Sequence, residues 1–195
     1  ALVLPPFYFK GRMDERALLA HYRAVADASQ LPVVLYNMPF STAGLDLDVA
    51  LVCALADHPN IVGLKDSAGD MARLAQIVEQ APAGFAVFAG SAGYLLPALA
   101  VGALGAVAAL ANVFPRQVCQ LQALFERGHL DEARQFQGRL VAANTAVTTT
   151  YSVPGLKAAL EITAGYGGPP RMPLQPLTET AHQRLAEILA AVESL

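Results

Sequence analysis

The amino-acid sequence predicts an α/β fold built on a parallel β-sheet. Short apolar segments alternate with longer segments in which apolar residues recur at helical spacing. The connections are long enough to hold a helix, which is how right-handed crossovers join parallel strands. The continuous apolar character of the short segments is typical of strands that are covered on both faces. The predicted strands are residues 2–4, 33–36, 61–65, 85–89 and 106–110.

Helical segments separate these strands. In the first of them, Leu18, Tyr22 and Val25 share one apolar stripe, and Asp14 and Glu15 lie favourably in the first turn. The second and third segments show a similar period, and each opens with an aspartate, a residue type that caps helix N-termini. The predicted helices before the fifth strand are residues 14–28, 46–56, 70–80 and 94–101.

Only helical segments follow the fifth strand. We expect the first of them to cover the sheet and the other three to form a C-terminal helical extension. The predicted domains are a βα part over residues 1–128 and the extension over residues 129–195. The four helices are predicted at residues 113–127, 130–147, 154–164 and 178–192.

Two architectures fit this order of elements, an open doubly wound sheet and a (β/α)8 barrel. Five strands do not close a barrel, and a complete barrel takes about 250 residues, more than the 195 of this chain. Because the sequence starts inside a strand, we expect upstream βα units to be missing. The sequence by itself leaves both architectures open.

Composition excludes several classes of protein. The chain has 13 basic and 16 acidic residues without a basic cluster, which argues against nucleic-acid binding. Cys53 and Cys119 lie far apart and fit neither a disulfide framework nor a metal site, so a reducing cytoplasm is expected. Residues 80–115 carry no charge, but frequent glycines and prolines argue against a membrane span. The four histidines lack metal-ligand spacing, and no glycine-rich stretch matches a nucleotide-binding motif.

Two residues at strand ends carry the candidate chemistry. Lys65 ends the third predicted strand, and functional residues of parallel sheets lie at the C-terminal ends of strands. Partial desolvation favours the neutral amine, which can attack a carbonyl group. Tyr36 ends the second predicted strand, and neighbouring strands are about 4.8 Å apart, so its hydroxyl can transfer protons in the same pocket. The alternatives are a solvated lysine and a tyrosine that caps the core.

The loops after these strands offer small hydroxyl residues and backbone amides. Residues 37–42, 66–69 and 90–93 contain Ser41, Ser67 and other such groups, which suit a carboxylate next to a helix N-terminus. Ordinary turn and capping chemistry explains any single serine equally well.

Three motifs resemble one enzyme family. Residues 36–39 read Tyr-Asn-Met-Pro, which resembles the Tyr-Asn-x-Pro motif of the dihydrodipicolinate synthase/N-acetylneuraminate lyase family of class I aldolases. Residues 63–67 read Gly-Leu-Lys-Asp-Ser, similar to the Schiff-base lysine motif of that family, and residues 5–8 resemble the end of its fourth barrel strand. Residues 58–63, 109–113 and 153–157 are most similar to the 4-hydroxy-2-oxoglutarate aldolase branch.

The resemblance implies both a fold and a reaction. It implies a (β/α)8 TIM barrel of which strands 4–8 are present, with a C-terminal helical extension and assembly into dimers or tetramers. It implies that Lys65 forms an imine with pyruvate or another 2-oxo acid, that Tyr36 moves protons, and that Tyr8 reaches a neighbouring subunit's site. An aldehyde is the second small molecule, and no cofactor or metal is implied. The residues implied to line the pocket are Ser67, Gly90, Ser91 and Val107.

The sequence departs from the family pattern at two places. The family's Gly-x-x-Gly-Glu loop with its paired hydroxyl residues is absent, so the chain as written is expected to lack a complete site. Ser41 stands where dihydrodipicolinate synthases carry an arginine that holds a distal carboxylate, which argues against aspartate semialdehyde as substrate. Other open possibilities are a dihydrodipicolinate synthase-like enzyme, a keto-deoxy sugar acid lyase or dehydratase, and a truncated member without activity.

Overall fold

The strands form one parallel sheet in a computed structural model that describes residues 1–193, apart from the side chain of Lys10. Strand order follows the chain, β1-β2-β3-β4-β5, and every neighbouring pair is parallel. This sheet of successive βα units is the architecture that the alternating pattern predicts. The strands are β1 (Leu2–Val3), β2 (Val33–Asn37), β3 (Ile61–Asp66), β4 (Ala86–Ala89) and β5 (Gly105–Ala106).

The fifth strand is shorter than predicted and starts one residue earlier. Only Gly105 and Ala106 pair with β4, because β4 itself ends at Ala89. The apolar segment after them turns into a 3-10 helix, Ala109–Asn112. The prediction of a strand over residues 106–110 is therefore wrong beyond its first residue. Periodicity cannot separate a short buried strand from a short buried helical turn.

Three helices connect the first four strands, and an aspartate side chain caps each one. They are α1 (Glu15–Ala28), α2 (Val49–Ala56) and α3 (Met71–Gln80). Asp70 accepts from the amide of Arg73 at 3.1 Å, as predicted. Asp14 was predicted within the first turn and is instead the cap, accepting from the amide of Ala17 at 2.8 Å. The prediction that α2 opens at Asp46 is wrong, since Asp48 accepts the capping bond from Leu51 N, at 2.8 Å. Asp46 instead bonds to polar side chains of neighbouring elements.

The remaining helices match their predicted order, with shifts at the ends. They are α4 (Leu95–Ala100), α5 (Pro115–Glu126), α6 (Leu130–Thr145), α7 (Ser152–Ala164) and α8 (Glu179–Glu193). A π-helical turn, Ala146–Thr150, follows α6 where a regular helix was predicted up to residue 147. Within the described chain, no helix combines the length and the apolar character that a bilayer crossing needs.

The chain folds into two compact units. The first comprises Ala1–Gly90 and Pro97–Ala106, and the second comprises Ser91–Leu96 and the chain from Val107 onward. In the first unit, α2 packs on β3 and on its neighbours α1 and α3. In the second unit, α6 packs on α5 and α8, and α7 packs on α8. The division into domains after residue 128 stays a prediction.

One carboxylate of the second unit gives a pH-dependent contact that can be measured. Glu161 Oε2 accepts from the amides of Gly167 and Gly168, at 2.7 and 3.2 Å, and these bonds lower the pKa of Glu161. Because the folded pKa lies below the unfolded one, the contribution is present above the ordinary carboxyl pKa and is lost as pH falls through the folded value.

We therefore expect amide exchange at Gly167 and Gly168, corrected for its intrinsic pH dependence, to speed up on acidification. Nuclear magnetic resonance can follow both amides. Glu161→Gln is the control variant, and its two amides should show no such change. Equal behaviour of the two proteins would contradict the prediction.

Candidate active site

The candidate site lies at the C-terminal ends of β2 and β3. The register of the two strands pairs Tyr36 directly with Lys65. Both side chains are half-buried, and Lys65 Nζ lies 4.0 Å from the centroid of the Tyr36 ring. A cation over the face of a tyrosine ring is attracted by the ring quadrupole. The sheet thus places an amine and a phenol side by side, at the strand end where parallel sheets hold their functional groups.

The Tyr36 hydroxyl has a local partner in this structure. It donates to Met38 Sδ at 2.9 Å, two residues along the chain. A thioether is a weak acceptor, so a substrate oxygen can replace it at little energetic cost. A tyrosine with a purely structural role would show the same local bond.

Ser67 and Gly90 lie together beside this pair. Ser67 N donates to Asn37 O at 2.8 Å, and Gly90 N donates to Asp66 O at 2.6 Å. A side chain at position 90 would overlap Ser67 Oγ and would stand 2.7 Å from Asp66 O. Glycine is required at position 90 because the loops after β3 and β4 approach this closely. These contacts connect the ends of three adjacent strands.

The other three predicted residues have different surroundings. Tyr8 belongs to a 3-10 segment, Phe7–Arg12, and its side chain is 88% exposed, with its ring against Phe9. Within this single chain its ring contact is thus with Phe9 and not with Tyr36. Ser91 and Val107 belong to the second unit. Ser91 Oγ accepts from Gly93 N at 3.1 Å and from Asn144 Nδ2 at 2.9 Å, while Val107 is largely exposed.

A polar cluster that the sequence pattern did not predict lies directly behind the candidate pair. Asp66 is 1% exposed, and its Oδ2 accepts from Asn37 Nδ2 at 2.8 Å and from an Arg73 nitrogen at 2.7 Å. Arg73 also forms an ion pair with Asp46, and Asn37 Nδ2 bonds to the same Asp46 carboxylate at 2.7 Å. We call these four residues, Asn37, Asp46, Asp66 and Arg73, the polar cluster. The sequence did contain one signal for this cluster. Asp66 is a polar residue next to the candidate lysine, at the end of an apolar strand.

Charges around Arg73 keep it firmly protonated. Burial on its own lowers the pKa of Arg73, but the hydrogen bond to Asp46 and the charges of Asp66, Asp46 and Asp70 outweigh burial and raise it. The guanidinium bridges two carboxylates, Asp66 at the end of β3 and Asp46 in the loop before α2, a geometry that a planar fork of donors permits. Arg73 is therefore held as a cation between the two carboxylates that it contacts.

Comparison with known proteins assigns the chain to a family. The profile of the Dihydrodipicolinate synthetase family matches residues 1–192. The chain belongs to this family. The resemblance seen in the three motifs is thereby confirmed for nearly the whole chain.

Curated relatives of the family include both aldolases and synthases. The chain is 41% identical over 181 residues to a probable mitochondrial 4-hydroxy-2-oxoglutarate aldolase of Emericella nidulans, covering 92% of the chain and 58% of the relative. It is 38% identical over 193 residues to a 4-hydroxy-tetrahydrodipicolinate synthase of Exiguobacterium sp., covering 99% and 64%. An L-threo-3-deoxy-hexylosonate aldolase of Hypocrea jecorina is 35% identical, with 96% and 62% covered. The chain thus spans about three fifths of these relatives.

Solved structures of the dihydrodipicolinate synthetase family share the fold. A putative dihydrodipicolinate synthase from Thermus thermophilus is 35% identical with a TM-score of 0.89, and 99% of the chain covers 66% of it. YagE from E. coli K12, solved in complex with pyruvate, is 27% identical with a TM-score of 0.87, with 98% and 65% covered. The predicted fold, part of a TIM barrel followed by C-terminal helices, is confirmed by this match.

Proposed function

We propose that this chain is the part of a class I aldolase that contains the Schiff-base lysine. The enzyme cleaves a 4-hydroxy-2-oxo acid to pyruvate and an aldehyde. The observation that carries the proposal is the 4.0 Å separation between Lys65 Nζ and the Tyr36 ring. A carbon–carbon lyase of this class needs one amine and one proton-transfer group at the same carbon skeleton, and this pair supplies both. Two relatives named aldolases, at 41% and 35% identity, support the reaction class.

The proposed reaction starts at the lysine amine. The Lys65 nitrogen adds to the 2-oxo carbon, and loss of water gives a protonated imine. Tyr36 then removes the proton of the 4-hydroxyl group as the C3–C4 bond breaks, and the electron pair of that bond moves into the iminium to form an enamine. The aldehyde leaves, the enamine takes a proton at C3, and water releases pyruvate. Because the iminium accepts the electrons, this chemistry requires neither a metal nor an organic cofactor.

The substrate carboxylate needs hydrogen-bond donors near the amine. Ser67 and Gly90, which adjoin each other at the ends of β3 and β4, are proposed to line the 2-oxo acid pocket. The roles of Ser91 and Val107, which belong to the second unit, stay predictions from the resemblance. Ser41 is exposed and offers no guanidinium for a distal carboxylate, which argues against aspartate semialdehyde. The proposed substrate, 4-hydroxy-2-oxoglutarate, rests instead on similarity to a relative named for its cleavage. Glyoxylate is then the aldehyde product.

A second candidate is condensation rather than cleavage. One synthase of the same family is 38% identical over 193 residues, almost the whole chain. The lysine chemistry is shared, and only the aldehyde partner differs. A panel of aldehydes offered with pyruvate separates the two candidates, because the preferred partner of a synthase is aspartate semialdehyde. A third possibility, a member that binds a 2-oxo acid without turnover, predicts an adduct with no aldehyde-dependent consumption of pyruvate.

Borohydride trapping tests the proposal directly. We expect pyruvate and borohydride together to place a reduced adduct on the peptide that contains Lys65, as read by mass spectrometry. Lys65→Arg should abolish the adduct, and Lys157→Arg, a change at a lysine of α7, should leave it intact. An unmodified Lys65 peptide from the unaltered protein would end the Schiff-base proposal.

Assembly is proposed to follow the family pattern of dimers or tetramers. The segment around Tyr8 exposes three consecutive aromatic residues, with Phe7 42% and Phe9 60% exposed. Large exposed apolar groups that adjoin one another are typical of interaction surfaces. Analytical ultracentrifugation should therefore give a mass above one chain, and Tyr8→Ala together with Phe9→Ala should lower it.

A further inference from the structure

The polar cluster lies back to back with the candidate catalytic pair. The register joins Tyr36 to Lys65 and, one step further, Asn37 to Asp66. Because consecutive side chains of a strand point to opposite faces of the sheet, the first pair lies on one face and the second pair on the other. The amine–phenol pair and the buried carboxylate–amide pair therefore share the same two stretches of backbone.

Several hydrogen bonds hold the second pair, Asn37 and Asp66, in place. On the Asp66 carboxylate, Oδ1 accepts from the amides of Ala68 and Gly69, at 3.0 and 3.2 Å, in addition to the bonds at Oδ2. On the Asn37 side, Oδ1 accepts from Leu47 N at 3.0 Å. Both residues are at most 1% exposed. A buried carboxylate with this many donors has one position, and a slip of one residue between the strands would expose it.

Arg73 connects this pair to the helix layer. Its side chain is 11% exposed, and it reaches Asp66 at the end of β3 and Asp46 in the loop before α2. Arg73 lies in the first turn of α3, whose N-terminus is capped by Asp70. The guanidinium thus fixes the ends of β2 and β3 against α3 on the face opposite to the amine and the phenol.

We propose that Asp66 and Arg73 are positioning residues that hold Lys65 Nζ over the Tyr36 ring. Consecutive strand positions put Asp66 on the face opposite to Lys65, so Asp66 acts through the β3 backbone that it shares with Lys65. Arg73, on α3, acts through its ion pair with Asp66. The consequence for catalysis rests on the proposed function of Lys65, whereas the placement of the amine over the ring does not. Asp66→Asn removes one of the two carboxylate charges that Arg73 pairs with, and Arg73→Lys keeps the cation but lacks the planar fork of donors that bridges them.

A nuclear magnetic resonance experiment reads the placement without any substrate. The chain has three lysines, Lys10, Lys65 and Lys157, which formaldehyde carrying ¹³C can methylate reductively. Methyl groups above an aromatic ring are shifted upfield by the ring current. We expect one upfield signal in the unaltered protein, absent in Lys65→Arg and returned to the position of a free lysine in Tyr36→Leu.

Variants of the polar cluster test the positioning role of Asp66 and Arg73. Asp66→Asn and Arg73→Lys should move the Lys65 signal to the free-lysine position while circular dichroism still shows a folded protein. Leu74→Ala is the matched control, since it removes a buried side chain of α3 beside Arg73 but leaves the cluster intact, and its upfield signal should remain. An upfield signal that persists in both cluster variants, or that is missing from the unaltered protein, overturns the proposal.

Trapping of pyruvate on Lys65 tests whether the polar cluster affects the reaction. At a temperature well below unfolding, the rate of adduct formation on Lys65 should fall roughly 10–100-fold in Asp66→Asn and Arg73→Lys, as misplacement by about 1 Å does in enzymes. Leu74→Ala should trap at nearly the unaltered rate. An upfield signal without any adduct in the unaltered protein would reject the proposed function and leave the positioning intact. An unchanged trapping rate in both cluster variants would overturn the positioning role.

Discussion

Replacing Tyr36 by phenylalanine is expected to slow pyruvate release from 4-hydroxy-2-oxoglutarate by about 10²–10⁴-fold, the usual contribution of a positioned acid–base group. The aromatic ring that lies 4.0 Å from Lys65 Nζ is retained in this variant, and only the hydroxyl is lost. The amine should therefore still react with pyruvate. Release is measured by coupling to lactate dehydrogenase, and the adduct on Lys65 is measured after borohydride reduction.

Pyruvate release and adduct formation together distinguish the role of the Tyr36 ring from that of its hydroxyl. Tyr36→Leu removes both, so we expect it to disturb the placement of the amine as well as to slow release. Met38→Leu is the matched control, because it removes the sulfur that accepts the resting hydrogen bond and leaves the phenol in place. Release that is unchanged in Tyr36→Phe would show that the proton is carried by another group.

Replacing Arg73 by leucine is expected to lower the free energy of unfolding by about 3–5 kcal/mol, the usual effect of removing one partner of a buried ion pair. The reason is the carboxylate of Asp66, which is 1% exposed and would lose its ion pair with Arg73. Urea denaturation followed by circular dichroism measures the change. The size of the effect comes from desolvation, so added salt should alter it little.

A surface pair of similar geometry provides the control. Arg184 and Glu187 of α8 approach to 2.8 Å, but their side chains are 68% and 66% exposed. Arg184→Leu should therefore cost no more than about 1 kcal/mol. The double variant Asp66→Leu with Arg73→Leu should recover part of the loss, because no buried charge remains, although the amides of Ala68 and Gly69 lose their acceptor. Equal losses in Arg73→Leu and Arg184→Leu would contradict the prediction.

The strands and helices were predictable where a single period covers the whole element. Leu18 and Tyr22 are buried on one side of α1, as the apolar stripe predicts, and Asp70 caps α3 as predicted. Prediction failed where an element is only a few residues long. The end of the fifth predicted strand became a 3-10 helix, because its length is limited by the partner strand and not by its own residues.

The candidate pair was predictable and the polar cluster was not. Lys65 and Tyr36 each end an apolar strand, so position in the pattern marks them. Asp46 and Arg73 are 27 residues apart and follow ordinary helical patterns, in which they read as exposed charges. Only the register of β2 against β3 shows that Asn37 and Asp66 face each other, and only the packing of α3 brings Arg73 to them.

By itself the sequence determined the parallel α/β architecture, the order of its elements and the strand end at which an amine and a phenol meet. These features follow from local period and from the C-terminal ends of parallel strands, which are properties of the chain taken segment by segment. The tertiary structure alone decided that a buried ion pair lies behind that amine and phenol. Desolvated charges can be stable only with partners from several distant segments, and no local pattern specifies those partners.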